Sequence, residues 1–277
     1  MAEEQSEYLL GATDDEVRRL TIQQSIIKHG MGGKLILAPV DLSQSNLAIL
    51  DSACADGLWL RDVSSQLKTP YKLVGADLMP QFFPKSTPPE LKLIQHDFTN
   101  PWPAELHNSF DLVHQRLALA GARSASVEDS VKMLPTLLKP GGWVQLGELD
   151  LTEDPVDGDA AKALYRTMRT LFEKGESGNA HSCPGTMAGW LKEAGLIDVR
   201  EEIVRIPVGK RVKDGEMAKI SAAHMIHVAT MIPEVTKKIG GEVPVEDVDL
   251  LSQTYPEELE KIGSEFRFII AMGQKPN

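Results

Sequence analysis

The sequence predicts an α/β protein built on a doubly wound, mostly parallel, seven-stranded sheet with an antiparallel last strand and helical lid insertions. Three observations predict this class. Short apolar runs alternate with amphipathic stretches between residues 47 and 150, which is typical of a parallel sheet covered on both faces. Small-residue turns follow the apolar runs. A β-type run at 266–272 closes the chain, and a late strand added to a parallel sheet is commonly antiparallel.

Each element follows from its local pattern. Residues 14–27 have the spacing of an amphipathic helix with Thr13 or Asp14 as its cap. Five apolar runs predict buried strands, at 46–51, 71–77, 91–95, 110–114 and 142–147, the last after a turn at 139–142. Residues 199–208 predict a further strand, and helices are predicted at 58–67, 160–172 and 185–194 and over most of 214–263.

Composition narrows the classes of protein that the chain can represent. Its 277 residues include 29 basic and 40 acidic side chains, a net charge of -11, which is the wrong sign for a general binder of phosphate backbones. Nucleic acid is therefore not an expected partner. Cys54 and Cys183 cannot form a disulfide framework or a four-thiolate zinc site, which suits a reducing compartment. Residues 1–5 lack the signal-peptide pattern and no apolar run reaches about 18 residues, so we expect no membrane span and a cytoplasmic location.

The most informative segment runs from Asp51 to Gly57, with the sequence Asp-Ser-Ala-Cys-Ala-Asp-Gly. It predicts a tight turn of small residues between a strand and a helix, where a nucleotide can approach the backbone. Asp77 ends the next strand 20 residues after Gly57, the distance at which a carboxylate accepts hydrogen bonds from ribose hydroxyls. Small turns of this kind also join strands to helices in proteins without a nucleotide.

This order of parts resembles the class I S-adenosylmethionine-dependent methyltransferases, whose first motif is Asp-x-Gly-x-Gly-x-Gly. The matching positions are Asp51, Ala53, Ala55 and Gly57, so two of the three glycines are alanine, which is accepted where φ stays negative. The resemblance implies S-adenosyl-L-methionine as the cofactor. The residues that it implies around the cofactor are Ala53, Cys54 and Gly57 at the methionine moiety, Asp77 at the ribose, and Asp97 and Phe98 at the adenine, with Asp51 and Leu78 as further cofactor-binding residues.

Three further segments are similar to fungal methyltransferases of secondary metabolism, the group that includes the LaeA-like proteins. They are 8–20 with Tyr8, Glu16 and Arg18, Phe-Asp-Leu-Val-His-Gln-Arg at 110–116, and Lys-Pro-Gly-Gly-Trp-Val-Gln-Leu-Gly-Glu at 139–148. In that family the early helices close over the cofactor, which makes Tyr8 and Arg18 candidate cofactor-binding residues. A simple core role for Tyr8 is the alternative.

The predicted organisation follows from this resemblance. Residues 1–45 form an N-terminal helical cap and 46–150 the S-adenosylmethionine-binding core. Residues 151–263 form a helical substrate lid together with a core helix and strand, and 264–277 supply the C-terminal strand of the core sheet. Helical segments towards both ends would also allow a homodimer.

An NAD-binding Rossmann protein is the competing cofactor class, because it too uses a small-residue turn and a later acidic residue. A pyrophosphate needs several backbone N–H groups at a bare glycine turn, and the Cβ atoms of Ala53 and Ala55 obstruct that approach. S-adenosylmethionine has no phosphate, so the same two substitutions weaken its binding less than the binding of a dinucleotide.

Candidate catalytic residues lie at the predicted carboxyl ends of the fourth and fifth strands. His114 is a candidate general base, and a hydrogen-bonded structural histidine is the alternative. Gln115 and Arg116 follow it as candidate cofactor ligands, as does His114 itself. Glu148 is a candidate for orienting a substrate amine, with a solvated strand-end carboxylate as the alternative.

Candidate substrate-binding residues are Trp143, His181, His224 and Met225. His224 and His227 have a spacing that a metal accepts, but no carboxylate or cysteine nearby completes a ligand set, so no metal is predicted. The chain has no Asn/Asp-Pro-Pro-Tyr motif of the kind associated with methylation of nucleic-acid bases.

The function predicted from these features is methyl transfer from S-adenosylmethionine to O, N or S of a small-molecule metabolite. Two alternatives stay open at this point. One is a LaeA-like regulatory or interaction protein that keeps the cofactor fold. The other is a cofactor-bound enzyme that does not methylate, such as a pericyclase.

Overall fold

A single seven-stranded sheet organises the chain in the computed structural model, which describes residues 11, 13–122, 126–156, 158–175 and 177–277. The strands are β1 Ala48–Ser52, β2 Lys72–Asp77, β3 Leu91–Gln95, β4 Phe110–Arg116, β5 Leu138–Leu149, β6 Ile197–Val208 and β7 Ser264–Gln274. Their order across the sheet is β3-β2-β1-β4-β5-β7-β6. The first five strands are parallel, and β7 lies antiparallel between β5 and β6, which confirms the predicted fold class.

Helices cover both faces of the sheet. They are α1 Asp14–Gly30, α2 Leu58–Ser64, α3 Val127–Met133, α4 Asp159–Lys174, α5 Thr186–Glu193, α6 Gly215–Lys238, α7 Val245–Asp249 and α8 Tyr255–Lys261. One buried core joins the sheet to α1, α2, α4, α6 and α8, and a second core joins its other face to α3 and α5. The sheet is therefore doubly wound, as the alternating pattern predicts.

The start of β5 differs from the prediction. The turn expected at 139–142 lies within the strand as an irregularity, because the Cα partners jump from Phe110 and Leu138 to Leu112 and Trp143. Only glycine fits at position 142, since a Cβ atom there would lie 2.8 Å from the carbonyl oxygen of Phe110. Trp143 therefore begins the regular part of β5, at the end opposite to the carboxyl edge.

Helix α1 begins as its sequence predicts. The hydroxyl of Thr13 accepts a hydrogen bond from the backbone N–H of Glu16 at 3.2 Å, so Thr13 is the cap. The helix continues three residues beyond the predicted end, to Gly30. Within the described ranges, no helix combines the length and the apolar character needed to cross a membrane.

Candidate active site

The turn between β1 and α2 lies at the carboxyl edge of the sheet, where parallel α/β sheets bind ligands. Ala53, Ala55 and Gly57 have φ values of 56°, 48° and 76°. The condition under which alanine is accepted at these positions without strain, a negative φ, is therefore not met. The tight turn needs the left-handed region at all three positions, and each alanine accepts a strain of about 1 kcal/mol there.

Asp77 stabilises this turn from the end of β2. One of its carboxylate oxygens accepts the backbone N–H of Ala55 and the other accepts that of Met79, both at 2.8 Å. Burial raises the pKa of the carboxyl, and the two backbone hydrogen bonds oppose that rise. Each oxygen of an ionised carboxylate has two acceptor positions, so Asp77 keeps capacity for two hydroxyl donors such as those of a ribose.

Cys54 and Gly57 shape the floor of the turn. Cys54 is 6% exposed, and burial raises the pKa of its thiol far above the ordinary value, so the side chain is neutral. A Cβ atom on Gly75 of β2 would lie 2.7 Å from the Cys54 sulfur, which shows how closely the turn packs on the sheet. Gly57 is the N-cap of α2, and a Cβ atom there would approach Leu93 to 3.2 Å.

His114 lies inside β4 instead of at its end, because the strand continues to Arg116. Its Nδ1 lies 2.7 Å from a carboxylate oxygen of Asp51, and its ring stacks on Trp59 with centroids 3.7 Å apart. The side chain is 3% exposed, and burial lowers its pKa against the opposing effect of Asp51. This geometry suits a histidine that fixes the orientation of Asp51.

Gln115 and Arg116 point to opposite faces of β4, as neighbours in a strand do. Gln115 accepts a hydrogen bond from Ser52 at 2.7 Å. Arg116 donates to Gln24 of α1 at 2.5 Å, and Gln24 in turn donates to Asp62 of α2 at 2.7 Å. Burial lowers the pKa of Arg116 to about 10, so it stays charged at neutral pH. These hydrogen bonds hold α1 against the carboxyl edge of the sheet.

Glu148 of β5 has a capping geometry. One of its oxygens accepts the backbone N–H groups of Ala118 at 2.9 Å and Leu119 at 3.0 Å. These residues start the single turn of 3₁₀ helix that follows β4, so Glu148 orients the connection at the carboxyl edge. Burial raises the pKa of Glu148 to about 7, although the two backbone bonds oppose the rise.

Three of the residues expected around the cofactor follow β2 and β3. Asp97 closes its own turn, accepting both the N–H and the hydroxyl of Thr99. Phe98 packs, partly buried, against the second core. Leu78 adjoins Asp77, and its carbonyl accepts a hydrogen bond from Gln95 at 3.2 Å. All three follow the carboxyl ends of β2 and β3, the strands that extend the sheet from β1.

Tyr8 and Arg18 are the two candidate cofactor-binding residues of the N-terminal segment. Tyr8 lies outside the described residues. Arg18 points away from the site, since its side chain is 77% exposed and pairs with Asp15 at 3.2 Å. The neighbouring Arg19 is the inward residue, with a two-pronged pair to the buried Glu16 at 2.7 Å. A helix turns by about 100° per residue, so adjacent arginines face different surroundings.

An apolar pocket lies between α1, α4 and α6, where β4 and β5 end and β7 begins. Its cavity volume is about 70 Å³, and it opens to solvent. His224 and Met225, both predicted to bind substrate, lie in its wall. The lining comprises Gln23, Ile26, Ile27, Leu117, Leu149, Leu151, Leu164, Tyr165, Met168, His224, Met225, Val228, Phe266 and Phe268.

Sequence reasoning missed Tyr165 and Met168, which face this pocket from α4. Their spacing at i and i+3 on a predicted helix is the signal that could have identified them. Burial and the charge of Arg19 lower the pKa of His224 to about 4, so its imidazole is neutral near pH 7.

The other two predicted substrate-binding residues lie elsewhere. Trp143 is buried in the first core, four residues before the strand position that pairs with Arg116, and is absent from the pocket wall. It lies at the start of the regular part of β5, away from the carboxyl edge. His181 is fully buried, contacts Phe172 with ring centroids 5.4 Å apart, and is also absent from the wall. Burial lowers its pKa to about 4.

The edge of the sheet fits S-adenosylmethionine. Asp77 has acceptor capacity for a ribose, the turn at 51–57 lets a ligand approach the backbone, and the Cβ atoms of Ala53 and Ala55 occupy the bare turn that a pyrophosphate would need. In the described residues, no group of three or more potential metal ligands is present. The fold and this edge define a class I S-adenosylmethionine-dependent methyltransferase.

Comparison with known proteins narrows the class. No family model matches the chain. The N-methyltransferase sirN of Leptosphaeria maculans is 37% identical over 283 residues, which covers 98% of this chain and 96% of the relative. The N-methyltransferase gliN of Aspergillus fumigatus is 35% identical, covering 97% and 96%. Among solved structures, phosphoethanolamine N-methyltransferase 2 of Haemonchus contortus with S-adenosyl-L-methionine has a TM-score of 0.50 and 15% identity, covering 92% of this chain and 52% of that one.

The chain belongs to the fungal S-adenosylmethionine-dependent methyltransferases of secondary metabolism. It uses S-adenosylmethionine to methylate a small-molecule metabolite, which confirms the predicted cofactor and enzyme class. The regulatory and non-methylating alternatives are not favoured, since the relatives that cover nearly the whole chain are methyltransferases.

Proposed function

We propose that the enzyme methylates a nitrogen atom of a small, largely apolar metabolite held in the pocket between α1, α4 and α6. The observation that carries this proposal is the pocket itself, which opens beside the ends of β4 and β5 and is walled mainly by aliphatic and aromatic side chains. The printed names of sirN, gliN and tcpN, each at least 33% identical, support nitrogen as the acceptor atom.

The cofactor, when bound, supplies an electrophilic methyl group on a sulfonium. In this proposal the turn at 51–57 holds its methionine portion, Asp77 its ribose hydroxyls, and Asp97 and Phe98 flank its base. The remaining task of the chain is to align the acceptor and exclude water. The carbon-lined walls exclude water, and they also favour the neutral, nucleophilic form of an amine over its ammonium form.

His114 and Glu148 act in this proposal as positioning residues. His114 is bonded to Asp51 and stacked on Trp59, and Glu148 caps the turn after β4. Neither belongs to the wall of the pocket. A neutral amine needs no base before attack, so the proposal assigns no proton acceptor from the chain.

The acceptor atom can be tested with matched probes of one ring size. The purified enzyme would receive S-adenosylmethionine with indoline, 5-indanol or indane-5-thiol, which offer nitrogen, oxygen or sulfur. We expect S-adenosylhomocysteine and an N-methyl product from indoline alone, identified by mass and by the chemical shift of the new methyl group. Methylation of only the oxygen or sulfur probe contradicts the proposal.

We also propose a cytosolic enzyme that acts as a homodimer. The thiols of Cys54 and Cys183 are both free, which suits a reducing compartment. Edge strand β6 carries the exposed side chains Ile197 and Ile203, which a second copy could cover. Cell fractionation checks the location and light scattering checks the mass, and a monomer at micromolar concentration contradicts the dimer.

A further inference from the structure

The hydroxyl of Tyr165 has an unusual position in the pocket. The side chain is 5% exposed and lies in the wall contributed by α4. Its oxygen accepts the backbone N–H of Arg267 at 3.4 Å, and among the residues that the structure describes this is its only hydrogen bond. The O–H proton therefore has no acceptor on that part of the chain.

Towards the pocket, Tyr165 is surrounded by carbon atoms. Leu149, Leu164, Met168 and Phe268 are neighbours in the same wall. The carboxylates of Asp150 and Glu265 lie outside the lining, near enough to raise its pKa but not hydrogen-bonded to its hydroxyl within the described residues. A buried hydroxyl without an acceptor costs roughly 1–3 kcal/mol, so a ligand that brings an acceptor removes a real penalty. Burial raises the pKa of Tyr165 to about 12, which keeps the hydroxyl a neutral donor at physiological pH.

The opposite wall carries no charge either. His224 of α6 is neutral near pH 7 and makes no hydrogen bond within the described ranges, and Gln23 of α1 is the other polar side chain of the lining. The nearest ion pairs lie outside the lining, Arg19 with Glu16 on α1 and Arg267 with Asp150 behind Tyr165. A charged ligand would lose its water here, and no charged side chain belongs to the lining to replace it.

We infer that Tyr165 is a specificity-determining hydrogen-bond donor, and that the pocket takes an uncharged metabolite which presents an oxygen acceptor to α4. The inference rests on the proposed function, since it assigns the pocket to the methyl acceptor. It adds two chemical properties to that acceptor, an oxygen that the hydroxyl can reach and the absence of a formal charge.

Three probes with the same ring skeleton test these properties: indane, 1-indanone and 1-aminoindane. Indanone adds a carbonyl oxygen, and aminoindane adds an ammonium group at pH 7. Binding would be measured by calorimetric or NMR titration with S-adenosylhomocysteine at saturation, so that no turnover occurs. We expect indanone to bind about fivefold tighter than indane and aminoindane at least tenfold more weakly.

The variant Tyr165→Phe removes the hydroxyl and keeps the ring. We expect it to bind indanone and indane equally. The infrared carbonyl stretch of bound indanone, lowered by the hydrogen bond in the wild type, should return to its value in an apolar solvent. Neither readout depends on methyl transfer, so both stay informative if the nitrogen assignment fails.

Tyr255→Phe is the matched control. Tyr255 of α8 is 1% exposed and does not belong to the pocket wall. Its side chain is hydrogen-bonded to Ser264. This variant should keep both the fivefold preference and the shifted carbonyl stretch. A wild-type preference that survives in Tyr165→Phe, or aminoindane binding as tightly as indane, would overturn the inference.

Discussion

The carboxyl edge around residues 51–57 and the apolar pocket share helix α1 and the end of β4, but their polar groups differ in how they are hydrogen-bonded. At the cofactor edge Asp51 is bonded to His114 at 2.7 Å, and Asp77 and Glu148 each accept two backbone N–H groups. In the pocket, Tyr165 accepts one long bond and His224 makes none with the described residues. In the proposed function, the chain thus preorganises the cofactor site through its own hydrogen bonds. It leaves the polar groups of the pocket for the methyl acceptor to bind.

The largest expected effect comes from removing the best-fixed group of the cofactor edge. Asp77→Ala loses the proposed bonds to two ribose hydroxyls, each worth roughly 1.5–3 kcal/mol for a charged acceptor. We expect the affinity for S-adenosylhomocysteine, measured by calorimetry, to fall at least about a hundredfold. Asp77→Asn keeps one carbonyl oxygen and should lose less.

The control for Asp77 is Asp41→Ala, which removes an exposed carboxylate that accepts hydrogen bonds from its neighbours Ser43 and Gln44. It should leave the affinity unchanged. Circular dichroism of each variant separates a lost ligand contact from a lost fold. A folded Asp77→Ala protein with unchanged affinity would remove Asp77 from the cofactor site.

The next effect is a pH dependence of stability at Glu148. Its carboxyl has an ordinary pKa of 4.5, which the fold raises to about 7. Between these values the folded state binds more protons than the unfolded state, so the free energy of unfolding falls as pH rises from 4.5 to 7. The total fall is roughly 3 kcal/mol, from about 1.4 kcal/mol per unit of pKa.

Glu148→Gln tests this dependence because an amide oxygen can still accept both backbone N–H groups. Urea unfolding at pH 5 and pH 8 should show a smaller stability difference for the variant than for the wild type. An equal difference in the two proteins would mean that other groups carry the dependence.

A third effect separates the pocket from the cofactor edge. Met168→Trp adds bulk to the pocket wall, and overpacking of this kind costs about 1–3 kcal/mol. We expect the affinity for 1-indanone to fall at least about tenfold, while that for S-adenosylhomocysteine stays within about twofold. Met133→Trp is the control, since Met133 packs against the other core, and it should leave both affinities near their wild-type values.

The smallest effect concerns the left-handed alanines. Ala55 has a φ of 48°, where glycine is less strained by about 1 kcal/mol, although glycine gains entropy in the unfolded chain. We expect Ala55→Gly to raise the free energy of unfolding by about 0.5 kcal/mol in urea titrations. Ala76→Gly in β2, where φ is negative, should lower it, and a loss of stability in both variants would contradict the strain.

The sequence predicted the sheet well because buried strands leave a continuous apolar run. The bounds of β3 were predicted to the residue, and the antiparallel last strand was predicted from its position. The start of β5 was not, since the run Lys-Pro-Gly-Gly signals a change of backbone direction without showing that pairing resumes around it.

The site was predictable where a residue's place in a strand fixes its position, and less so on helices. Asp77 follows from the end of β2, whereas the choice between Arg18 and Arg19 depends on which face of α1 meets the sheet. Tyr165 was missed as a pocket residue for a similar reason, because a helical pattern does not show which face of the helix meets a ligand. The sign of φ at Ala53 and Ala55 depends on the closure of the turn, which no side-chain pattern records.

Helix α1 has contacts on both sides of this comparison. Gln23, Ile26 and Ile27 form part of the pocket wall, while Gln24 is bonded to Arg116 and to Asp62 of α2, the helix that begins at the cofactor turn. A ligand that fixes the position of α1 against the sheet at one of these sites therefore also changes the binding free energy at the other. Thermodynamic linkage makes this effect mutual. If the bound cofactor raises the affinity for the acceptor by some factor, the bound acceptor raises the affinity for the cofactor by the same factor, and the ternary complex is more stable than independent binding would make it.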